Sequence, residues 1–328
     1  MRTFKNFVGR VAFILLLPLL CLSCKTQSDV GLVLGGGGAK AAAEIGVLKV
    51  LDQTEVPVGY VVGSSMGAVV GVLYAAGYSA DDIDSLWMTE DWLMLFDEDK
   101  CISTCDMNRT FFGLIHGEFF EEKLYQALKA KGCTTFEDIQ ENRNITFCCT
   151  ATEIVDNREL REVHLTTGDL ASAVRASMTY PAPLVGFKPV QRDGMRLVDG
   201  GMLNNLPVDV ADSLGAKRII AVDLEMVEKN NNPSLGKRIV KSIYQNSRLK
   251  KEVDMVSYEW LVNWLFDNKD IIKHNTNKTN PDIIYIHPVN IRPYSILSFQ
   301  PEAARRMILY GEDEARNYVH KFSLLRHE

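Results

Sequence analysis

Val30-Gly31-Leu32-Val33-Leu34-Gly35-Gly36-Gly37-Gly38-Ala39-Lys40 opens the stretch that decides the fold, and Gly63-Ser64-Ser65-Met66-Gly67-Ala68-Val69-Val70-Gly71 closes it. A short apolar run, Val30 to Leu34, meets four glycines. A helix-forming segment follows from Ala39 to Leu51, and a second apolar run, Val58 to Val62, ends in a G-x-S-x-G turn before another small-residue helix. Strand, glycine loop, helix, strand, sharp turn and helix make one βαβ unit. Its strands are parallel, so both loops leave the sheet at the same, carboxyl edge. If the two strands are neighbours they lie roughly 4.8 Å apart, and the N–H groups of Gly36, Gly37, Gly38 and Ala39 can then face the Ser65 hydroxyl. A nucleophile beside backbone donors at a helix N-terminus suits acyl transfer, where negative charge develops on a carbonyl oxygen.

Two plainer readings compete. Gly36-x-Gly38-x-x-Ala41 fits the dinucleotide fingerprint, with Asp52 or Glu55 spaced to hold a ribose. The phosphate-loop pattern fails, because Lys40 is followed by Ala41 rather than Ser or Thr. A lone G-x-S-x-G often marks only a tight turn between strand and helix. Both motifs at the ends of adjacent strands are much more specific than either alone.

At 328 residues the chain supports one large α/β domain or two small ones, and with neither repeats nor a linker one domain, 30–328, is the economical reading. A net charge of −6 without a basic cluster argues against nucleic acid as a partner. Arg2, Lys5 and Arg10 precede the apolar run Val11 to Leu20, too short to span a bilayer but suited to a signal peptide, 1–23. Ser23-Cys24 resembles a lipoprotein cleavage site, so Cys24 is the expected lipidated residue and the protein is expected to be exported and anchored to a bacterial membrane. Residues 24–29 then form a tether reaching about 20 Å at most. Five cysteines remain (Cys101, Cys105, Cys133, Cys148 and Cys149), an odd count that argues against a full disulfide framework. Cys101 and Cys105 can pair after export, Cys148-Cys149 reads as buried strand, and no Cys and His spacing suggests a metal site.

Downstream, Ile83 to Phe96 carries Trp87, Met88, Trp92, Leu93, Leu95 and Phe96, read either as helix-pair core or as a lipid-facing lid. Glu118 to Lys131 is an amphipathic helix. Ile145 to Ala151 and Leu160 to Leu165 are strands of a hairpin around Asp156-Asn157, and Asp169 to Ser177 is a short helix stopped before Tyr180-Pro181-Ala182-Pro183. Pro207 opens a helix to Leu214, Arg218 to Leu224 and Asp282 to His287 are strands, and Pro301 to Tyr318 is a closing helix. Residues 228–280 read as loops around helices, with Trp260 and Trp264 on one helix face.

A serine hydroxyl needs a base. The six histidines, His116, His164, His274, His287, His320 and His327, lie in no motif. Asp199 is the better candidate, ending a strand over Met195 to Val198 and followed by Gly200 and Gly201, which let the chain bend. If that strand joins the sheet in parallel, Asp199 reaches the edge that carries Ser65.

Gly36-Gly37-Gly38-Ala39-Lys40, Gly63-Ser64-Ser65-Met66-Gly67 and Asp199-Gly200-Gly201, in that order, resemble the three signatures of patatin-like phospholipases. Arg175-Ala176-Ser177-Met178 and Asp199-Gly-Gly-Met-Leu-Asn-Asn-Leu-Pro207 resemble the segments around the family aspartate, and Tyr294 to Phe299 resembles the branch related to neuropathy target esterase. The resemblance implies a three-layer α/β/α sandwich with a mostly parallel central sheet. It implies a Ser-Asp dyad, without metal, cofactor or histidine, acting on acyl esters of lipids or phospholipids at a membrane surface. Ser65 matches the nucleophile, Asp199 the general base, Gly36, Gly37, Gly38 and Ala39 the oxyanion loop, and Lys40 the basic position after it. Gly63, Gly67, Gly200 and Gly201 match the supporting glycines. Ala41 stands where the family usually has Gly, and Tyr180-Pro-Ala-Pro replaces a more typical Ile-Pro-Gly-Val. A catalytically silent lipid-binding scaffold and an acyltransferase with the same dyad are the alternatives.

Overall fold

The computed structural model describes residues 26–89, 117–155, 159–180, 189–224, 282–295 and 298–326. Cys24, Cys101, Cys105, the segment from Trp92 to Phe96, the turn at Asp156-Asn157, Pro181 to Pro183 and residues 228–280 lie outside them.

The opening βαβ unit is present as β1 (Val30–Leu34), α1 (Ala42–Thr54), β2 (Val58–Ser64) and α2 (Met66–Ala75). The helix-forming run does not begin as α-helix, because Gly38–Ala41 is a 3-10 turn that feeds α1. After α3 (Ala80–Trp87) come α4 (Glu118–Ala130), α5 (Phe136–Arg143), β3 (Thr146–Val155), β4 (Glu159–Leu165) and α6 (Leu170–Ser177). β5 (Val190–Arg192), β6 (Met195–Asp199), α7 (Val208–Leu214), β7 (Arg218–Val222) and β8 (Ile283–Ile286) complete the sheet and its second cover. The closing helix α8 (Pro301–Arg316) ends earlier than its apolar pattern suggests, and a separate short helix, α9 (Val319–Leu324), follows.

The eight strands form one sheet in the order β5-β6-β3-β2-β1-β7-β8, with β4 paired to β3. β3, β2, β1, β7 and β8 are mutually parallel, as expected of crossover connections. β4 and β6 both pair antiparallel with β3. The condition of a parallel strand for Asp199 is therefore not met. Asp199 reaches the rim by another route. β3 runs ten residues and overshoots the end of β2, which stops at Ser64 opposite Thr150. β6 comes back along that overhang and ends with Asp199 opposite Ala151, one residue beyond the level of Ser64.

Alternation along β1 sorts the two covered faces. Val30, Leu32 and Leu34 belong to the large core under α1, α2 and α8, whereas Val33 joins Val62, Cys148 and Ala221 beneath α7. Helices on both faces make the expected three layers. Trp87 and Ile83 are buried, so the described part of the aromatic segment is core. Cys148 and Cys149 are fully buried, and burial followed by the nearby Glu162 carboxylate pushes the Cys148 thiol up to about 12. The expected tether is fastened in its last residues. Gln27 Nε2 donates to Gly59 O at 2.6 Å, and Arg218 Nε donates to Asp29 Oδ1 at 3.0 Å, both at the amino edge of the sheet.

α1 and α8 cross in backbone contact. A Cβ placed on Gly46 would stand 1.9 Å from Ile308 O, and one on Gly311 would stand 1.8 Å from Ala43 O. We predict that Gly311→Ala destabilises the fold by about 1–3 kcal/mol in urea titrations, because overpacking outweighs the roughly 1 kcal/mol that Ala ordinarily adds to a helix.

Glu44 on α1 is fully buried, and neither carboxylate oxygen has a hydrogen-bond partner among the described residues. Burial raises its pKa well above the usual carboxylate value, so the folded protein keeps it protonated where the unfolded chain does not. The stabilising protonation is complete below the unfolded value and is lost as pH climbs toward the folded one. Wild-type stability is thus predicted to fall relative to Glu44→Gln as pH rises above about 4.3, because only the unfolded chain then gives up the proton. Urea titrations of both proteins between pH 5 and 8 check this, and parallel pH dependences would refute it.

Candidate active site

β2 ends at Ser64 and α2 starts at Met66, so Ser65 alone makes the reversal, at φ 52° and ψ −127°. A non-glycine residue in such a conformation stores on the order of 1–3 kcal/mol. Two glycines let α2 come close enough to impose it. A Cβ on Gly63 would lie 2.4 Å from Ala68 Cα, and one on Gly67 would lie 2.4 Å from Leu34 O. α2 therefore seats directly on the ends of β1 and β2, and Ser65 is left partly exposed at the rim.

Ser65 Oγ donates to Asp199 Oδ2 at 2.6 Å, across 134 residues of sequence. The other oxygen, Asp199 Oδ1, accepts the Gly201 N–H at 2.8 Å in the 3-10 turn Gly200–Met202. Asp199 is only 3% exposed, so water competes little for either oxygen. The end of α6 holds both partners. Ser177 Oγ accepts the Ser65 N–H at 3.0 Å, and two residues on, Thr179 O accepts the Asp199 N–H at 2.9 Å. One helix terminus thereby sets the spacing of Ser65 and Asp199. Arg175, on the same helix, pairs with Glu121 of α4 instead.

The glycine loop lies against the serine, since a Cβ on Gly36 would come within 3.0 Å of Ser65 Cβ. Its donors differ from the expectation in one respect. The Gly36 N–H is already given to Asn205 O at 3.1 Å. The first bond of the 3-10 turn is Lys40 N–H to Gly37 O, so Gly37, Gly38 and Ala39 supply the N–H groups without an acceptor inside the turn. Gly38 sits at φ 57°, the left-handed region that glycine tolerates. Lys40 is half-buried and forms no ion pair among the described residues.

Serine, acid and amide donors at one rim fit nucleophilic attack on a carbonyl with stabilisation of the resulting oxyanion. The dinucleotide alternative finds no support, because its two ribose ligands lie at the far end of α1. Asp52 Oδ2 accepts the Ala80 N–H at 2.8 Å, and Glu55 pairs with Arg326. Of the histidines, His164 pairs with Glu162 and His287 with Asp223, away from the dyad. Among the described residues no group of His, Cys, Asp and Glu side chains is arranged to hold a metal.

Ser177 and Asn205 are the residues that sequence reading left without a role. Both lie inside the stretches that carry the resemblance, yet a serine near a helix end and an asparagine in a loop have no spacing rule to mark them.

A family profile described as "Patatin-like phospholipase" matches residues 32–212. The chain is 36% identical over 217 residues to the patatin-like phospholipase domain-containing protein ZK370.4 of Caenorhabditis elegans, covering 63% of this chain and 14% of that one. It is 35% identical over 208 residues to the neuropathy target esterase sws of Drosophila melanogaster, covering 61% and 13%. It is 32% identical over 219 residues to the lysophospholipase NTE1 of Mycosarcoma maydis, covering 63% and 10%. The match thus spans about a seventh or less of these relatives. Human GIVD cytosolic phospholipase A2 superposes with a TM-score of 0.49 at 11% identity, covering 90% of this chain and 60% of that one. With the profile match extending over more than half of its length and containing the glycine loop, Ser65 and Asp199, the chain belongs to the patatin-like phospholipase family.

Proposed function

We propose that this protein is a serine esterase that cleaves acyl ester bonds of lipids, phospholipids or lysophospholipids, through an acyl-enzyme on Ser65. The observation that carries the reading is the 2.6 Å bond from Ser65 Oγ to Asp199 Oδ2, with the glycine loop against the same serine. The names of the relatives, an esterase and a lysophospholipase, support the substrate class.

In this mechanism Asp199 takes the Ser65 proton as Oγ attacks the ester carbonyl carbon. The C=O electron pair moves onto oxygen, and the N–H groups of Gly37, Gly38 and Ala39 hold the oxyanion, each donor contributing on the order of 3 kcal/mol. Collapse expels the alcohol, which leaves with the proton from Asp199. Water then gives a proton to Asp199 and attacks the acyl-enzyme. Ser65 departs with that proton, and a fatty acid is released. The second oxygen of Asp199 stays fixed by Gly201, so the carboxylate does not rotate away while it carries the proton.

The membrane setting belongs to the same proposal. Lipidation at Cys24 after removal of residues 1–23 would hold the enzyme at a bilayer, and mass spectrometry of the mature N-terminus tests it directly.

Hydrolysis of lysophosphatidylcholine by the purified protein, followed as fatty acid released, is the main test. Ser65→Ala and Asp199→Asn are each predicted to lose at least about a thousand-fold in kcat while keeping the wild-type circular dichroism spectrum. Full activity in Ser65→Ala would remove the proposal. Adding a second alcohol and finding its acyl ester in place of free fatty acid would reassign the dyad to acyl transfer.

A further inference from the structure

The segment after Asp199 does more than deliver the carboxylate. Asn205 is only 9% exposed, and it clasps Gly36 from both sides. Its Nδ2 donates to Gly36 O at 3.0 Å, and its own main-chain carbonyl accepts the Gly36 N–H at 3.1 Å. Both polar groups of Gly36 are therefore spent on one residue, 169 positions away in sequence.

The side-chain bond fixes a direction. In a trans peptide the C=O and the following N–H lie in one plane and point opposite ways. With Gly36 O held by Asn205 Nδ2, the Gly37 N–H is aimed to the other side. A Gly36-Gly37 peptide has no side chain to oppose a flip, so an outside grip is what keeps it in register.

The carboxamide is also a spacer between the two halves of the site. Asn205 Oδ1 stands 2.3 Å from where a Cβ on Gly36 would lie and 2.4 Å from where one on Gly201 would lie. The Gly36 point is 3.0 Å from Ser65 Cβ, and the Gly201 point is 3.0 Å from Asp199 Oδ1. Asn205 Oδ1 is thus no farther than about 5.4 Å from either, the larger sum of those paired distances.

We propose that Asn205 is a positioning residue for the oxyanion loop, holding the Gly36 peptide so that the N–H groups following it face the reacting carbonyl, and keeping that loop in step with the Asp199 turn. The inference rests on the serine-esterase reading and deepens it. Asn205 does not touch the reacting atoms; it acts through Gly36. Its loss should therefore weaken stabilisation of the developing oxyanion rather than binding of the ester in the ground state.

The test is steady-state hydrolysis of p-nitrophenyl butyrate by wild type, Ser65→Ala, Asn205→Ala and Asn205→Asp, with thermal melting of each. Asn205→Ala is expected to lose kcat on the order of 100-fold, comparable to loss of an oxyanion donor, with KM within about two-fold. Asn205→Asp keeps the shape but replaces the donor and sets a second carboxylate near Asp199. It is expected to lose kcat and also to move the acidic limb of the pH–rate profile upward by roughly one to two units, the effect of a like charge at that separation. A purely structural role would lower the melting temperature and leave kcat per folded molecule unchanged. If Asn205→Ala does not fold, Asn205→Asp decides alone. Wild-type kcat with an unshifted profile in the folded variants overturns the inference while leaving the esterase intact. A wild-type rate no higher than that of Ser65→Ala overturns the esterase reading and this inference with it.

Discussion

Everything at the rim depends on one backbone angle. Ser65 stays at positive φ because α2 is clamped onto the strand ends by two residues without side chains, and because Ser177 holds the Ser65 N–H from across the site. Packing of a wholly buried, small-residue helix supplies the energy that the strained turn consumes, since every residue from Met66 to Leu73 is buried. The serine hydroxyl is consequently held clear of the helix it precedes. Without that reversal it would lie along the strand, and neither the carboxylate nor the glycine loop would reach it.

Around this turn the sheet works as a ruler. β1 and β2 stand side by side in parallel, which places the glycine loop beside Ser65, and β3 carries the register onward to Asp199. Parallel pairing alone would have brought the acid to the rim from below. The antiparallel return of β6 brings it from above, and the overhang of β3 determines where it stops. The hydrogen bonds that Ser65 N–H gives to Ser177 and Asp199 N–H gives to Thr179 then lock the two approaches to one helix end. Three segments distant in sequence share a position because the sheet, the end of α6 and the bonds between the segments pin them together.

What could be read from the chain follows from how local each signal is. The βαβ unit was legible, because apolar period, glycine loop and serine turn lie within 42 consecutive residues, 30 to 71. Asp199 was legible as a strand end, but the direction of its strand was not, since antiparallel pairing on an overhang leaves no mark in five residues. Asn205 and Ser177 were illegible in role, because their meaning lies in contacts over 169 and 112 positions. Glu44 has no mark either. A glutamate in the first turn of a helix is ordinarily solvated and favoured by the helix dipole, whereas here α1 is buried on nearly every side from Ala42 to Leu51 and Glu44 with it.

The fastening of residues 27–29 gives the molecule two poles. Gln27 and Asp29 are bonded to Gly59 and Arg218 at the edge where β1 begins, and β1 then runs about 17 Å, at roughly 3.3 Å per residue, before the chain reaches the nucleophile's neighbourhood. Residues 27–29 are thus fastened at the opposite edge of the sheet from Ser65 and Asp199. A load on the chain there is taken up at the amino ends of β2 and β7, and the rim that holds Ser65 does not bear it.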